Sequence, residues 1–167
     1  ATALMKAFGD LGLSAAGIKL IGTGDITTDE ELHNMGDVAL GVTTMFHYSA
    51  AGKRPANAAF VKAYKAMFGQ DQVPSFEVVG AYDGMAAIFH VIRAQKGKID
   101  PDKTMSLLEG WKDDNSPRGP ISIDPQTRDI VQHEYLRRVE KVNGQIENVE
   151  LEDVGMIKDP WKEQNAK

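Results

Sequence analysis

Apolar residues at helical spacing open the chain: Leu4, Phe8 and Leu11, with Met5 beside them, mark one side of an amphipathic helix ended by glycines. Gly17-Ile18-Lys19-Leu20-Ile21-Gly22 follows, a short apolar run bounded by glycines, which predicts a buried strand. It leads through Thr23-Gly24-Asp25 into Thr27-Thr28-Asp29-Glu30-Glu31-Leu32, where either threonine can N-cap a short helix with an acidic first turn. The stretch from Asp37 to Tyr48 alternates and is rich in β-branched and aromatic residues, so it reads as a second strand. Helix, strand, helix, strand is the order of an α/β fold.

Pro55 opens the next helix. Phe60, Val61, Tyr64, Met67 and Phe68 form its apolar stripe, and Gly69 closes it. Phe76 to Gln95 is the longest helical segment and has little polar face, which predicts burial on several sides. Asp100-Pro101 starts another helix, from Thr104 to Leu108, that stops at Gly110-Trp111. From Pro120 the pattern turns to β. Ile121 to Asp124 is a short strand, and Ile130 to Val142 places Val131, Tyr135 and Val139 on one face. Asn143-Gly144 marks a hairpin, and Ile146 to Val154 returns. The tail from Lys158 to Lys167 is polar and is expected to fray, apart from Trp161.

The chain has 167 residues, 42% of them apolar and 26% charged, and no cysteine. A core can form at this length without staples, and disulfides, thiol catalysis and thiolate metal sites are excluded. A formal charge of −5, with the basic residues scattered, argues against a nucleic-acid partner. No apolar run approaches the roughly 18 to 20 residues needed to span a bilayer. The abrupt start, with no initiator Met and almost no lead-in, suggests an excised piece of a longer protein.

Candidate chemistry is sparse. Gly22-Thr23-Gly24 begins like a dinucleotide fingerprint, but Thr27 stands where the third glycine belongs and the later acidic ribose partner is missing. The two glycines are instead expected to let the chain turn sharply at a strand end, exposing amides and the Asp25 side chain. Asp25 can equally be an ordinary turn or cap residue. His33, His47, His90 and His133 lack metal-ligand spacing, and no cofactor is expected. His47, in Phe46-His47-Tyr48 at a strand end, fits an aromatic pocket wall and a core contact equally well. Tyr82, early in the long helix, either packs or aims its ring into a cleft with Asp83 behind it. There is no G-x-S-x-G elbow and no paired carboxylate placed for catalysis, so an enzyme reading has no supporting constellation.

Several segments together carry a resemblance: Gly17 to Asp25, Asn34 to Val42, Tyr48-Ser49, Pro55 to Tyr64, Ala81-Tyr82-Asp83-Gly84-Met85 and Arg118-Gly119-Pro120-Ile121. In order and spacing they resemble the C-terminal half of type I periplasmic solute-binding proteins of ABC transporters, the group that takes up branched-chain amino acids and aromatic acids. The resemblance implies part of a two-lobed α/β fold, with helices on a mainly parallel sheet and a C-terminal β-hairpin region. Residues 1–48 would belong to the second lobe, 49–117 would cross to the first, 118–157 would include hinge strands, and 158–167 would be a polar tail. In amino-acid-binding members, an acidic residue after the strand-end glycine holds the ligand ammonium. Gly24 and Asp25 share that place here.

The resemblance thus implies a non-catalytic, periplasmic solute-binding protein. It would hold an amino acid or aromatic carboxylate at Thr23, Gly24, Asp25, Phe46, His47 and Tyr82 and deliver it to a membrane permease. Two other readings stand beside it: a ligand-sensing regulatory domain of the same fold, and an α/β enzyme using Asp25 and His47 as acid and base. Unpaired strand edges in a half-protein could also promote dimers.

Overall fold

The computed structural model describes residues 1–165. Its first elements are α1 (Thr2–Asp10), β1 (Ile21–Thr23), a 3-10 turn (Gly24–Thr27), α2 (Leu32–Met35), a second 3-10 turn (Gly36–Ala39) and β2 (Thr43–Phe46). Three helices follow: α3 (Pro55–Phe68), α4 (Phe76–Ala94) and α5 (Pro101–Leu108). The chain continues as β3 (Lys112–Asp113), β4 (Ile121–Ile123), β5 (Ile130–Val142), β6 (Gln145–Ile157) and α6 (Pro160–Asn165). Among the described residues no helix is long and apolar enough to cross a membrane.

One sheet runs β1-β2-β5-β4-β3, with β6 also paired to β5. β5 is its spine and changes partner along its length. Residues Ile130 to Gln132 pair with β4, residues Tyr135 to Arg138 pair with β2, and β6 accompanies nearly the whole strand. The register against β6 breaks at Glu134/Tyr135, where β5 passes from β4 to β2, and again at Leu136/Arg137, within the stretch paired to β2. The extra residues, Val154 and Leu151, lie on β6, so these bulges bend β6 and raise the twist of the pair while β5 serves two neighbours in succession.

The α/β class is as expected, but the sheet in this chain is not mainly parallel. β1–β2 is a parallel pairing, and the four other pairings among the described residues are antiparallel. Parallel neighbours need a crossover connection, and the α2 region supplies the one joining β1 to β2. The remaining strands are joined by hairpins and returns. The hairpin at Asn143-Gly144 forms as predicted, with φ positive at both residues, the primed turn whose twist matches the flanking strands.

The apolar core lies on the β1–β2 side. Met5, Leu32, Met35, Ala39, Val42 and Val139 bury together, with Leu20, Ile26, Leu40 and Ile146 packed around them. Helix α1 faces this core through Met5 and Phe8, whereas Leu4 and Leu11 point to solvent. β1 is a three-residue exposed edge rather than a buried strand, because it has a strand neighbour on only one side. The predicted second strand is shortened to Thr43–Phe46: its start folds into the 3-10 turn, and Gly41 turns the chain at φ 85°. Neither Thr27 nor Thr28 caps a helix. α2 starts after Glu31 without a side-chain cap, and Thr27 is buried.

Helix α3 starts with Pro at its first turn and ends at Gly69, but Met67 and Phe68 fall outside the packed stripe. Helix α4 buries Val79, Asp83 and Val91 only. Tyr82, Met85, Ile88, Phe89 and Ile92 are each more than two-fifths exposed, contrary to burial on several sides. A helix that is apolar all round needs neighbours all round, and the described residues cover one face. The tail is more ordered than expected. Asp159 accepts bonds from the Trp161 and Lys162 amides to start α6, and Lys162 pairs with Asp129, although Trp161 itself is exposed. The last two residues of that predicted tail lie outside the described ones.

Asn57, fully buried near the start of α3, organises the turn that leaves β2. Its amide donates to the Ser49, Ala50 and Gly52 carbonyls at 3.1, 3.1 and 2.9 Å, and its oxygen accepts from the Tyr48 hydroxyl at 3.1 Å. Truncating it strands four buried polar groups. Asn57→Ala is therefore expected to cost about 3 kcal/mol, read as a lower urea midpoint at unchanged slope. A loss below about 0.5 kcal/mol would contradict this account of the turn.

Candidate functional site

The parallel pair β1–β2 ends at Thr23 and Phe46. In open α/β sheets the carboxyl ends of such strands are where amides face outward and ligands bind. Here both ends are tied to β5 by Arg137. This side chain is 1% exposed and lies over its cross-strand partner Thr44, with Nε and Nη2 on the Thr44 hydroxyl at 3.2 and 3.1 Å. It continues past the strand ends, with Nη2 on the Gly24 carbonyl at 3.1 Å and Nη1 on the Tyr48 carbonyl.

Gly24 is required for space. A Cβ there would come within 2.1 Å of Phe46 Cγ and 2.5 Å of Arg137 Nη2, so no side chain fits beneath that ring and guanidinium. Neither Gly22 nor Gly24 is among the residues with positive φ. The expected sharp glycine turn is therefore a close approach instead.

An aromatic cluster covers the two strand ends. Phe46 lies 4.4 Å from His47 and 4.9 Å from Phe76, the latter edge-on, and His47 meets Phe76 edge-on at 5.9 Å. Such edge-to-face pairs use the ring quadrupole. The Arg137 guanidinium sits 5.0 Å from the Phe46 ring centre. On the far side, Phe76 begins α4, and Asp83, almost two turns on and so on the same helix face, receives Arg118 Nε at 2.7 Å and the Ser116 hydroxyl at 3.0 Å. Arg118 Nη1 reaches Gln132 on β5, which leaves Nη2 beyond those contacts.

Burial, reinforced by Arg118 and then Arg137, pushes the His47 imidazole down to about 4, so it is neutral at physiological pH. Burial also raises Asp83 against the pull of Arg118, and raises Glu134. Arg137 is lowered by burial, opposed by Asp29, Glu150 and Glu134. Asp29 is pushed up to about 6 by burial, although Arg137, Asn148 and the Ala50 amide favour its charged form. The site therefore combines aromatic walls, a neutral imidazole and two guanidinium groups, an arrangement suited to a flat anion.

Of the six residues singled out from sequence, Thr23, Gly24, Phe46 and His47 come together at the strand ends. Asp25 is adjacent but exposed, and its carboxylate accepts the Thr23 hydroxyl. Among the described residues no hydrogen bond joins Asp25 to His47. Tyr82 stands apart. Its ring packs on Phe60 of α3 at 5.0 Å and lines a separate groove of about 410 Å³ with Met85, Phe89, Arg93 and Trp111. The carboxylate beside it, Asp83, faces Arg118 instead. Sequence reasoning missed Phe76, Arg118 and Arg137 as site residues, and considered Asp83 only as a carboxylate behind Tyr82. A signal existed for Arg137: it shares the inward alternation of Val131, Tyr135 and Val139 on β5, a face where a charged side chain needs a reason.

A family model described as periplasmic binding protein matches residues 1–145. A curated relative, the Leu/Ile/Val-binding protein homolog 6 of Brucella abortus, is 42% identical over 159 residues, which is 93% of this chain and 40% of that protein. Among solved structures, a solute binding protein of an ABC transporter from Rhodopseudomonas palustris BisB5, in complex with 3,4-dihydroxybenzoic acid, is 48% identical with a TM-score of 0.90. The match covers 96% of this chain and 44% of that one. A solute binding protein from Rhodopseudomonas palustris HaA2 in complex with p-hydroxybenzoic acid is 44% identical, with a TM-score of 0.84 over 91% of this chain and 41% of that one. The chain spans about 40% of the length of the curated relatives it matches.

His47 and Asp29 push the pH dependence of stability in opposite directions. An imidazole lowered from 6.5 to about 4 is protonated first in the unfolded chain, so stability falls as pH drops from 6.5 towards 4. A carboxyl raised from 3.8 to about 6 is protonated first in the folded chain, so Asp29 adds stability as pH drops through 6 towards 3.8. His47→Phe is expected to gain stability relative to the parent as pH is lowered from neutral to about 5, measured by urea unfolding. A difference that stays constant with pH would contradict a buried, neutral His47.

Proposed function

The chain belongs to the periplasmic binding protein family, and we propose that the complete protein is the periplasmic solute-binding component of an ABC uptake transporter, with an aromatic carboxylate of the hydroxybenzoate type as its ligand. The observation that carries this reading is the Phe46–His47–Phe76 cluster flanked by Arg118 and Arg137. A benzoate needs flat apolar contact for its ring and a cation for its carboxylate, and both are present. An α-amino acid also needs an anion for its ammonium group. Here Asp83 is engaged by Arg118, and Asp25 accepts from Thr23. The Rhodopseudomonas proteins solved with 3,4-dihydroxybenzoic and p-hydroxybenzoic acid support the same choice.

In this reading the ring lies against Phe46 and Phe76, the carboxylate faces Arg118, and the backbone at Thr23 and Gly24 and the His47 imidazole complete one wall. A second lobe supplies the opposite wall. Closure about the β5–β6 hairpin, where β5 passes between two sets of strands, traps the ligand by adding contacts that exist only in the closed state. The closed form is what a membrane permease would recognise. The protein binds and releases its ligand unchanged, so it is a carrier and not an enzyme. A second reading, a branched-chain amino acid, is favoured by the name of the Brucella relative and by the exposed Asp25 at the strand end.

Isothermal titration of the complete protein is expected to show stoichiometric binding of 4-hydroxybenzoate and no heat with leucine. Phe76→Ala should weaken binding about tenfold, and Arg118→Ala about a hundredfold. Leucine binding without any response to the aromatic acid would overturn the ligand class in favour of the amino acid. Conversion of the ligand during the titration would overturn the carrier reading.

A further inference from the structure

Arg118 is held from two sides, through its side chain and through its backbone. Its side chain rests on Asp83 and Gln132, as described. Its backbone belongs to the turn from Ser116 to Gly119, closed by the Gly119 amide on the Ser116 carbonyl at 3.0 Å. Two consecutive carbonyls of that turn are gripped from the opposite side. Arg54 Nε donates to the Pro117 carbonyl at 3.0 Å, and the Tyr135 hydroxyl donates to the Arg118 carbonyl at 2.8 Å.

The two gripping residues are locked to each other and to the sheet. The Arg54 guanidinium stacks 4.5 Å from the Tyr135 ring centre and forms a fork on Glu150 of β6 at 2.7 and 2.8 Å. That ion pair is mostly shielded, with side-chain exposures of 21% and 15%, and bidentate geometry is the form in which such pairs hold direction. Gly119 records how tight the assembly is: its φ is 98°, and a Cβ there would lie 2.6 Å from the Tyr135 hydroxyl. The clamp sits beside the β6 bulge at Val154, where β5 leaves β4 and joins β2, so it joins the loop after β2, both hairpin strands and the Arg118 turn.

We propose that Arg54 and Tyr135 are positioning residues that fix the 116–119 turn and so aim the Arg118 guanidinium at the ligand's anionic group, an assignment that rests on the aromatic-acid reading above. Neither residue is asked to touch ligand. Tyr135 acts through one hydroxyl on one carbonyl, and Arg54 through one N–H on the next.

The test is a mutant cycle on the complete protein, titrated with 4-hydroxybenzoate. Tyr135→Phe keeps the ring under Arg54 and removes only the hydroxyl. It is expected to weaken binding about tenfold in the parent and less than about twofold in an Arg118→Lys background, because the effect passes through Arg118. In the ligand-free protein the Arg118 Nε–H NMR resonance should shift or broaden in Tyr135→Phe while unfolding stays cooperative. Arg54→Lys, which keeps a charge near Glu150 but loses the fork, should move the same resonance. Equal losses in the two backgrounds, or an unmoved resonance in both variants, would overturn the clamp. If Arg118→Lys binds as tightly as the parent, the anion-site reading fails, and the resonance still decides the clamp on its own.

Discussion

Arg137 is the side chain on which the rest of the arrangement depends. A guanidinium taken out of water costs several kcal/mol unless its N–H groups are satisfied. Here they are satisfied by one hydroxyl and two main-chain carbonyls, with no carboxylate in direct contact among the described residues. The two carbonyls belong to Gly24 and Tyr48, just beyond the ends of β1 and β2. Satisfying the charge therefore fixes where both strands stop and how they meet β5. It also sets the place of Phe46, whose ring and the guanidinium both close on the bare Cα of Gly24. The positive charge is felt next door, where it adds to burial and Arg118 in keeping the imidazole of His47 neutral.

A second consequence follows from the strand that carries Arg137. β5 pairs with β4 and then with β2 along its length, with one register break against β6 at the handover and another within the stretch paired to β2. Residues on either side of the break serve the two ends of the site. Arg137 organises the strand ends beside β2, while Gln132 beside β4 and Tyr135 at the handover hold Arg118. Helix α4 joins the two by presenting Phe76 to the aromatic cluster and Asp83 to Arg118 from one face. The candidate site residues and the change of strand partner thus share one strand.

Much of this was legible from the chain. Pro55 and Gly69 bounded α3, Asp100-Pro101 capped α5, and Asn143-Gly144 marked the hairpin, because each acts through local backbone chemistry. Phe46 and His47 could be picked out at a strand end. What escaped was tertiary. β1 looked buried from its composition, yet it is a short exposed edge, since pairing is decided by strands far away in sequence. Tyr82 and Asp83 were read as one unit, yet the helix turns them by about 100°, so one faces α3 and the other Arg118. Arg137 counted among the scattered basic residues, and only the inward alternation of β5 hinted otherwise. The apolar surface of α4 stays exposed because the described residues cover only one face of the helix.

A crystal structure of the complete protein grown with 4-hydroxybenzoate bears most directly on the central claim, that the strand ends braced by Arg137 form an aromatic-acid site. The account predicts electron density for the ring against Phe46 and Phe76, with the carboxylate on Arg118 and the Arg137 bonds to Gly24 and Tyr48 unchanged. Ligand bound away from this cluster, or with its carboxylate turned from Arg118, would contradict it.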